Sequence, residues 1–423
     1  MAKVQTSSAM ARLIRYLRQM LDQPQHFVWV VLQQGAVRGI LALKFLLVAR
    51  LLGPEQIGLV GIALLALAVV ESLSDTGLAQ AIVQRPDTIT ASQAGAVWTL
   101  QMCRGAVLAI LLLAFSIPVS VLFSVPASAQ LVALAALVPL LRNSFNPGLY
   151  VVQRKRDFKK LSIYEVIAAL LDISTSLILA RSGVGAASLL VGSMVSDASK
   201  MIFTWTWFRL PLKVSFQWSL IKEFTAFGKW IWGSSVVTLV LNQLDKVLVA
   251  KFIGTAEFGL YQTANRIAQL VVADGVVALS QYLYPTFSQR FRVSPEKAYD
   301  FYIWVIKRVV PVVACISILL AVFSTLIIQK ILGDQWVASA PVLRIMAVTM
   351  FFGAIIAVLV AYTRAIGNPQ IVTKSVTAQL IVFVLLAPLL TWKFGGVGMA
   401  SASACALACA TYAFIKQINK SKF

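Results

Sequence analysis

The chain has 423 residues, a formal net charge of +21 and a mean hydropathy of +0.83, with 59% hydrophobic and 13% charged residues. A soluble globule must present a polar exterior, so this composition excludes a soluble domain and selects a membrane protein. The apolar runs are continuous and do not alternate with period two, which excludes a β-barrel and predicts an all-α polytopic protein.

In chain order, the first feature is a basic stretch. Met10, Leu13, Ile14, Leu17, Met20 and Leu21 fall at helical spacing, with Arg12, Arg15 and Arg18 on the other side. That pattern fits either a short amphipathic helix on the membrane surface or a basic tail that serves topology alone. Twelve apolar spans follow, near residues 27–48, 57–83, 94–115, 130–151, 162–180, 184–207, 229–250, 258–284, 303–328, 341–363, 371–391 and 396–416. They are referred to below as spans 1 to 12. Span 1 is too long for a signal peptide and lacks a small-residue cleavage pattern. The predicted organisation is a cytoplasmic N-terminus (1–26), a first six-helix lobe (27–208), a linker (209–228) and a second six-helix lobe (229–423). The connections are short, the longest being about 116–129 and 329–340, so function is expected within the membrane. Cys103, Cys315, Cys405 and Cys409 all lie in apolar runs and His26 lies at a helix boundary. Neither a metal centre nor a catalytic constellation is expected from them.

Charge orients the spans. With residues at span ends counted as loop, 24 Lys and Arg fall on the side of the termini and of the connections after even-numbered spans, against five on the other side. The rich side carries Arg154, Lys155, Arg156, Lys159 and Lys160, and also Arg290, Arg292, Lys297, Lys307 and Arg308. Positive residues are retained on the cytoplasmic side, so both termini are expected in the cytoplasm. The net charge is then topological, and no nucleic-acid partner is implied.

The chain also repeats itself. Ala49, Arg50, Leu51, Leu52, Gly53, Ile57, Gly58 and Leu59 return 201 positions later as Ala250, Lys251, Phe252, Ile253, Gly254, Phe258, Gly259 and Leu260. An offset near half the length predicts two related halves, an arrangement typical of transporters with a site between repeats. Gly53/Gly58 and Gly254/Gly259 are expected to cap the turns between spans 1–2 and 7–8.

Ionisable residues in hydrocarbon are costly and usually face a bundle interior or a hydrated cavity. Span 1 holds Arg38 and Lys44, span 2 Glu71 and Asp75, span 7 Asp245 and Lys246, and span 8 Arg266 and Asp274. Gln34 and Arg38 share a helix face, as do Glu71 and Asp75, Asn242 and Lys246, and Gln262, Arg266 and Gln269. These stripes predict a polar cavity lined by the four repeat helices, or else ion pairs that hold the bundle. Structural roles are expected for Arg104, for Arg142 snorkelling to an interface, for Lys200 paired with Asp197, and for Arg344 reaching periplasmic water. Gly228, Gly233, Pro285, Pro311 and Pro388 are candidate hinges.

Residues 51–87, "LLGPEQIGLVGIALLALAVVESLSDTGLAQAIVQRPD", resemble the opening of bacterial polysaccharide exporters. These are the Wzx-like flippases of the multidrug/oligosaccharidyl-lipid/polysaccharide superfamily. "VVQRKRDFKKLSIYEV" (151–166) and "LNQLDKVLVAKFIGTAEFGLYQTANRIAQL" (241–270) agree with it. The resemblance implies two six-helix lobes related by a pseudo-two-fold axis, with helices 1, 2, 7 and 8 around a central cavity. It implies alternating access for an oligosaccharide linked through pyrophosphate to a polyprenyl lipid, in the inner membrane. Arg38, Lys44, Lys246 and Arg266 would then meet the pyrophosphate, and Gln34, Asn242, Gln262, Asn265 and Tyr261 the sugar. The lipid tail would stay in the bilayer lipids.

No nucleotide-binding loop is present. Coupling to an H+ or Na+ gradient would need a carboxylate, for which Asp274, Glu71, Asp75 and Asp245 are the candidates. The alternatives are a multidrug or metabolite exporter of the same fold, and a polysaccharide polymerase or ligase. A polymerase and export machinery would be partners of a flippase.

Overall fold

A computed structural model describes residues 24–74, 90–155, 157–213, 239 and 243–420. The described residues are helical apart from short turns, with no strand among them. Among the described residues, six helices are long and apolar enough to cross a membrane, or seven when a bent helix pair is counted as one span.

Two of those helices each contain two of the expected spans. Pro24–Leu73 covers span 1 and the start of span 2, broken at Gly53 (φ 78°, ψ 172°). Pro369–Lys420 covers spans 11 and 12, broken at Gly395 (φ 60°, ψ −142°). A side chain at positive φ collides with its own backbone, so these breaks fall where glycine removes that cost. Span 3 is Ala91–Phe123, span 5 Phe158–Arg181, span 6 Ala187–Thr206, span 9 Pro295–Val322 and span 10 Ala340–Ala365. The expected loop at 116–129 is largely helix, since span 3 runs on to Phe123. The loop at 329–340 is likewise built from the end of a short helix, Ser324–Ile331, and a 3-10 turn, Asp334–Ser339.

Span 4 is not the continuous helix the hydropathy predicts. It is made of Ser128–Ala135, Leu137–Asn143 and Gly148–Arg154, with a bend of 62° before the last piece. Pro147 and Gly148 follow the break, and Asn146 holds it. The fully buried Asn146 accepts from the Gly148 and Leu210 amides through Oδ1 and donates from Nδ2 to the Leu210 carbonyl. The broken backbone is thereby satisfied inside protein, as hydrocarbon demands.

Span 8 also departs from a plain helix. Thr255–Ala268 passes through a π-helical turn, Gln269–Ala273, into Asp274–Val293. Such turns carry an extra residue and occur often at functional sites. Pro285, Pro311 and Pro388 lie within long helices, while Gly228 and Gly233 lie outside the described residues, as does the N-terminal segment 10–21.

The chain divides into two compact units. One comprises residues 1–45, 70–113 and 134–235; the other comprises 46–69, 114–133 and 236–423. In the first, Leu149, Leu161, Tyr164 and Phe208 form a buried cluster around the broken span 4. In the second, spans 8, 9, 10 and 12 close on Phe287, Tyr302, Tyr362 and Phe414, with Tyr302 stacked on Tyr362 at 4.5 Å. Outward faces remain apolar, for example Ile110, Phe115 and Ile117 on span 3, as expected for helices bathed in lipid.

The second unit contains both repeat turns. Gly254 (φ 96°, ψ 176°) reproduces the conformation of Gly53 201 positions earlier. Gly58 and Gly259 do not cap these turns. They lie in the following helices, where backbone meets backbone. A Cβ on Gly58 would stand 1.8 Å from the Thr255 carbonyl oxygen, and one on Gly259 would stand 1.9 Å from the Pro54 carbonyl oxygen. Pro54 and Thr255 are themselves 201 apart, so the contact is reciprocal under the sequence repeat. Gly333 (φ 100°, ψ 175°) makes a third turn of the same form. After it, Gln335 donates to the Arg50 carbonyl at 2.9 Å and the fully buried Trp336 to the Ala49 carbonyl at 3.2 Å. Those bonds satisfy carbonyls at the end of span 1.

Candidate functional site

In the first unit the charges inside spans pair with one another. Lys44, expected on a cavity wall, is instead buried in an ion pair with Asp172 of span 5, whose Oδ1 also accepts from Ser176. Gly192 of span 6 lets the chain pass here, because a Cβ would lie 1.9 Å from Ser176 Oγ and 2.8 Å from Asp172 Oδ1. Arg142 does not snorkel to an interface. It bridges Glu71 at 3.1 Å and Asp197 at 2.9 Å. Lys200 reaches Glu165 at 2.8 Å and not Asp197, as the i,i+3 spacing suggested. Arg104 donates to Ser74 Oγ and the Glu71 carbonyl, closing the end of the span 2 helix. Of the expected site residues in this unit, Arg38 is exposed on span 1. Asp75 and the side chain of Gln34 lie outside the described residues.

In the second unit a cavity of about 330 Å³ opens between helices. Spans 7 and 8 supply Asp245, Lys246, Tyr261, Asn265 and Gln269; spans 10, 11 and 12 supply Met346, Thr349, Met350, Gln379, Phe383 and Ser403, among others. Tyr261, Asn265 and Gln269 are four residues apart and form one face of span 8. The sequence face containing Gln262 and Arg266 lies beside it. Gln262 packs against Gly61 of span 2, its Nε2 2.5 Å from where a Cβ on Gly61 would stand. Arg266 is half-buried. Asn242 lies outside the described residues, as does the side chain of Asp274.

Within the cavity, Asp245 Oδ2 accepts from the Tyr261 hydroxyl at 2.8 Å, while Oδ1 is buried and accepts from no described residue. Lys246 donates to Gln243 at 2.8 Å and Gln269 to Asn265 at 3.3 Å. A buried carboxylate oxygen without a donor is costly in low dielectric. An amide, hydroxyl and carboxylate lining can solvate a cation or the hydroxyls of a sugar. Gln379, Thr349 and Ser403 were missed in the sequence because each is a neutral polar residue in a largely apolar span with no charge to mark it. Only the packing of five helices shows that they converge. Among the described residues, no cluster of three or more His, Cys, Asp or Glu could hold a metal ion.

Long apolar helices, repeat-related turns and a polar cavity inside a helical unit define a polytopic α-helical transporter. The fold agrees with that of solved transporters. It is similar to the lipid II flippase MurJ in an inward closed conformation, with a TM-score of 0.71 and 14% identity over 92% of this chain and 87% of that one. It is equally similar to an inward-facing multidrug resistance MATE family transporter, with a TM-score of 0.70 and 14% identity over 93% and 98%.

Sequence relatives narrow the class. The succinoglycan biosynthesis transport protein ExoT of Rhizobium meliloti is 22% identical over 80% of this chain and 68% of its own length. The lipopolysaccharide biosynthesis protein WzxC of Escherichia coli is 21% identical over 81% and 67%. The teichuronic acid biosynthesis protein TuaB of Bacillus subtilis is 23% identical over 65% and 57%. Residues 47–341 match the family described as "Polysaccharide biosynthesis protein", and the chain belongs to that family.

Proposed function

We propose that the protein flips an oligosaccharide carried on polyprenyl pyrophosphate from the cytoplasmic to the periplasmic face of the bacterial inner membrane. The observation that carries this reading is the polar cavity of the second unit, set in a member of a polysaccharide biosynthesis family. Sidedness rests on the charge bias, which puts both termini in the cytoplasm. Movement is by alternating access between two inverted or parallel repeats. Lys246, on the cavity wall, replaces part of the water around the pyrophosphate, with Arg266 on the adjoining face of span 8 and Arg38 of the first unit as further candidates, a role suited to guanidinium and ammonium groups. Lys44 holds span 1 to span 5 through Asp172. Asn265, Gln269 and Gln379 on the cavity wall meet sugar hydroxyls, with Gln34, Asn242 and Gln262 as further candidate amides, while the polyprenyl tail stays in the bilayer.

Transport is coupled to a proton or sodium gradient through Asp245, which lines the cavity and whose Oδ1 accepts from no described residue. Glu71 is already engaged by Arg142; Asp75 and Asp274 complete the set of candidate carboxylates. The delivered repeat unit then passes to a polymerase and export machinery. A lysine beside the cavity carboxylate favours an anionic, sugar-bearing substrate over the cationic compounds that an acidic drug-export cavity would take.

The test is the sidedness of lipid-linked oligosaccharide in cells that lack the protein, read by a sugar-specific lectin on intact spheroplasts and then on permeabilised membranes. Repeat units trapped on the cytoplasmic face are expected. Accumulation on the periplasmic face would transfer the lost step to a polymerase or ligase. No accumulation on either face would favour an exporter of small molecules.

A further inference from the structure

The turn between spans 8 and 9 carries a structure that the transport cycle does not use. Arg290, at the end of the span 8 helix, lies over the Phe301 ring with its Cζ 3.9 Å from the centroid. Arg308 lies over the Trp304 ring at 4.3 Å. The two rings stack on each other at 5.6 Å with their planes 19° apart. Phe301 is fixed in turn against Phe287, which is fully buried, at 5.4 Å. Two guanidinium groups are thus held on neighbouring rings that are anchored to the core. A guanidinium held over a ring by its cationic centre still carries five N–H donors to offer an acceptor.

Both arginines are exposed, and neither forms an ion pair with a described residue, although Glu296 and Asp300 lie on the same turn. The surface continues as an apolar stripe. Trp304 is 49% exposed and Arg308 exposed, followed at helical spacing by exposed Val312, Ile316 and Leu319. Basic residues and a tryptophan above an apolar helix face are the signature of the membrane interface. By the charge bias this is the cytoplasmic face, where anionic lipid attracts clustered arginine.

We propose that Arg290, Phe301, Trp304 and Arg308 form a docking site for an anionic phospholipid of the cytoplasmic leaflet. The arginine edges bind the headgroup phosphate, and the acyl chains lie along Val312, Ile316 and Leu319. Charge complementarity and the adjoining apolar stripe select a bilayer phospholipid over a soluble anion. The site lies on the outer surface of the second unit and is separate from the cavity of Asp245.

The experiment is native mass spectrometry of the purified full-length protein, with phosphatidylglycerol and phosphatidylcholine offered in equal amounts. The native protein should retain phosphatidylglycerol. The double variant Arg290→Ala/Arg308→Ala should lose that retention by about twentyfold. Arg292→Ala/Lys297→Ala removes the same charge from the same turn and should leave it unchanged. Equal retention in the first variant would overturn the proposal, and so would equal loss in the second, since diffuse charge would then suffice. Preferential retention of added undecaprenyl phosphate over phosphatidylglycerol would overturn it too, by making this a substrate entry site. If the alanine pair is not monodisperse, Arg290→Lys/Arg308→Lys keeps the charge but lacks the planar fork. It should lose retention several-fold, and undiminished retention would refute the stacking argument. Export measured in the same cells separates failure of this site from failure of the flippase reading.

Discussion

Replacing Gly58 by alanine adds one carbon at a point where two backbones touch. That carbon would lie 1.8 Å from the Thr255 carbonyl oxygen and 2.7 Å from its carbon. A carbon and a carbonyl oxygen rest at roughly 3.3 Å, so the turn of spans 1–2 must move from that of spans 7–8 by about 1.5 Å. No flexible side chain absorbs the shift, since the obstacle is main chain. We expect a loss of about 3 kcal/mol, the upper part of the range for overpacking. Gly259→Ala meets the Pro54 carbonyl oxygen at 1.9 Å and should cost the same. Because one displacement relieves both clashes, the double variant should cost little more than either single one. The implied coupling is about −3 kcal/mol, as expected of residues in contact. Gly353→Ala is the control, for no atom lies within 4 Å of its added carbon. The assay is reversible unfolding in mixed detergent, paired with export in complemented cells. Wild-type stability in either single variant would refute the reasoning, and so would a double variant whose cost is the sum of the two.

Three further outcomes follow from the charges inside the spans. Lys44→Ala strands the Asp172 carboxylate in the interior and should destabilise by about 3–5 kcal/mol; adding Asp172→Asn should restore most of it, as read by folded protein in the membrane fraction. Asp245→Asn keeps a polar group beside Tyr261 but removes the charge, and should abolish gradient-dependent transport in proteoliposomes while leaving folded yield unchanged. Gradient-driven transport at the native rate would remove Asp245 from the coupling step. Arg38→Ala and Arg266→Ala should each abolish polymer export at normal protein levels, and full activity in both would remove basic recognition of the pyrophosphate.

Hydropathy made most of the helical fold legible, because lipid imposes helices of a set length. The repeat also located the turns at Gly53 and Gly254 correctly. It could not show that Gly58 and Gly259 serve a different purpose, since a close approach between backbones leaves the same letter as a turn. The break in span 4 was hidden for a related reason: Asn146 supplies the missing backbone partners from across the unit, and a hydropathy window cannot register that. Candidate charges were legible as a set, whereas their partners were not. Lys200 sits three residues from Asp197, yet it pairs with Glu165 of span 5, because the span 6 aspartate is taken by Arg142.

These pairings separate structural from functional charge in a way composition alone could not. In the first unit, Lys44 pairs with Asp172 and Arg142 with both Glu71 and Asp197, across spans 1, 2, 4, 5 and 6. Each such pair repays its desolvation only while both members remain, so removing one should cost stability before it costs transport. In the second unit, Asp245 of span 7 lines a cavity; its Oδ2 accepts from Tyr261 and its Oδ1 accepts from no described residue. Tyr261, Asn265 and Gln269 reach the same cavity at four-residue spacing along span 8, up to the first residue of its π-helical turn. The described ion pairs of the spans thus lie in the first unit, while the polar groups around the cavity of the second unit are held by hydrogen bonds to one another.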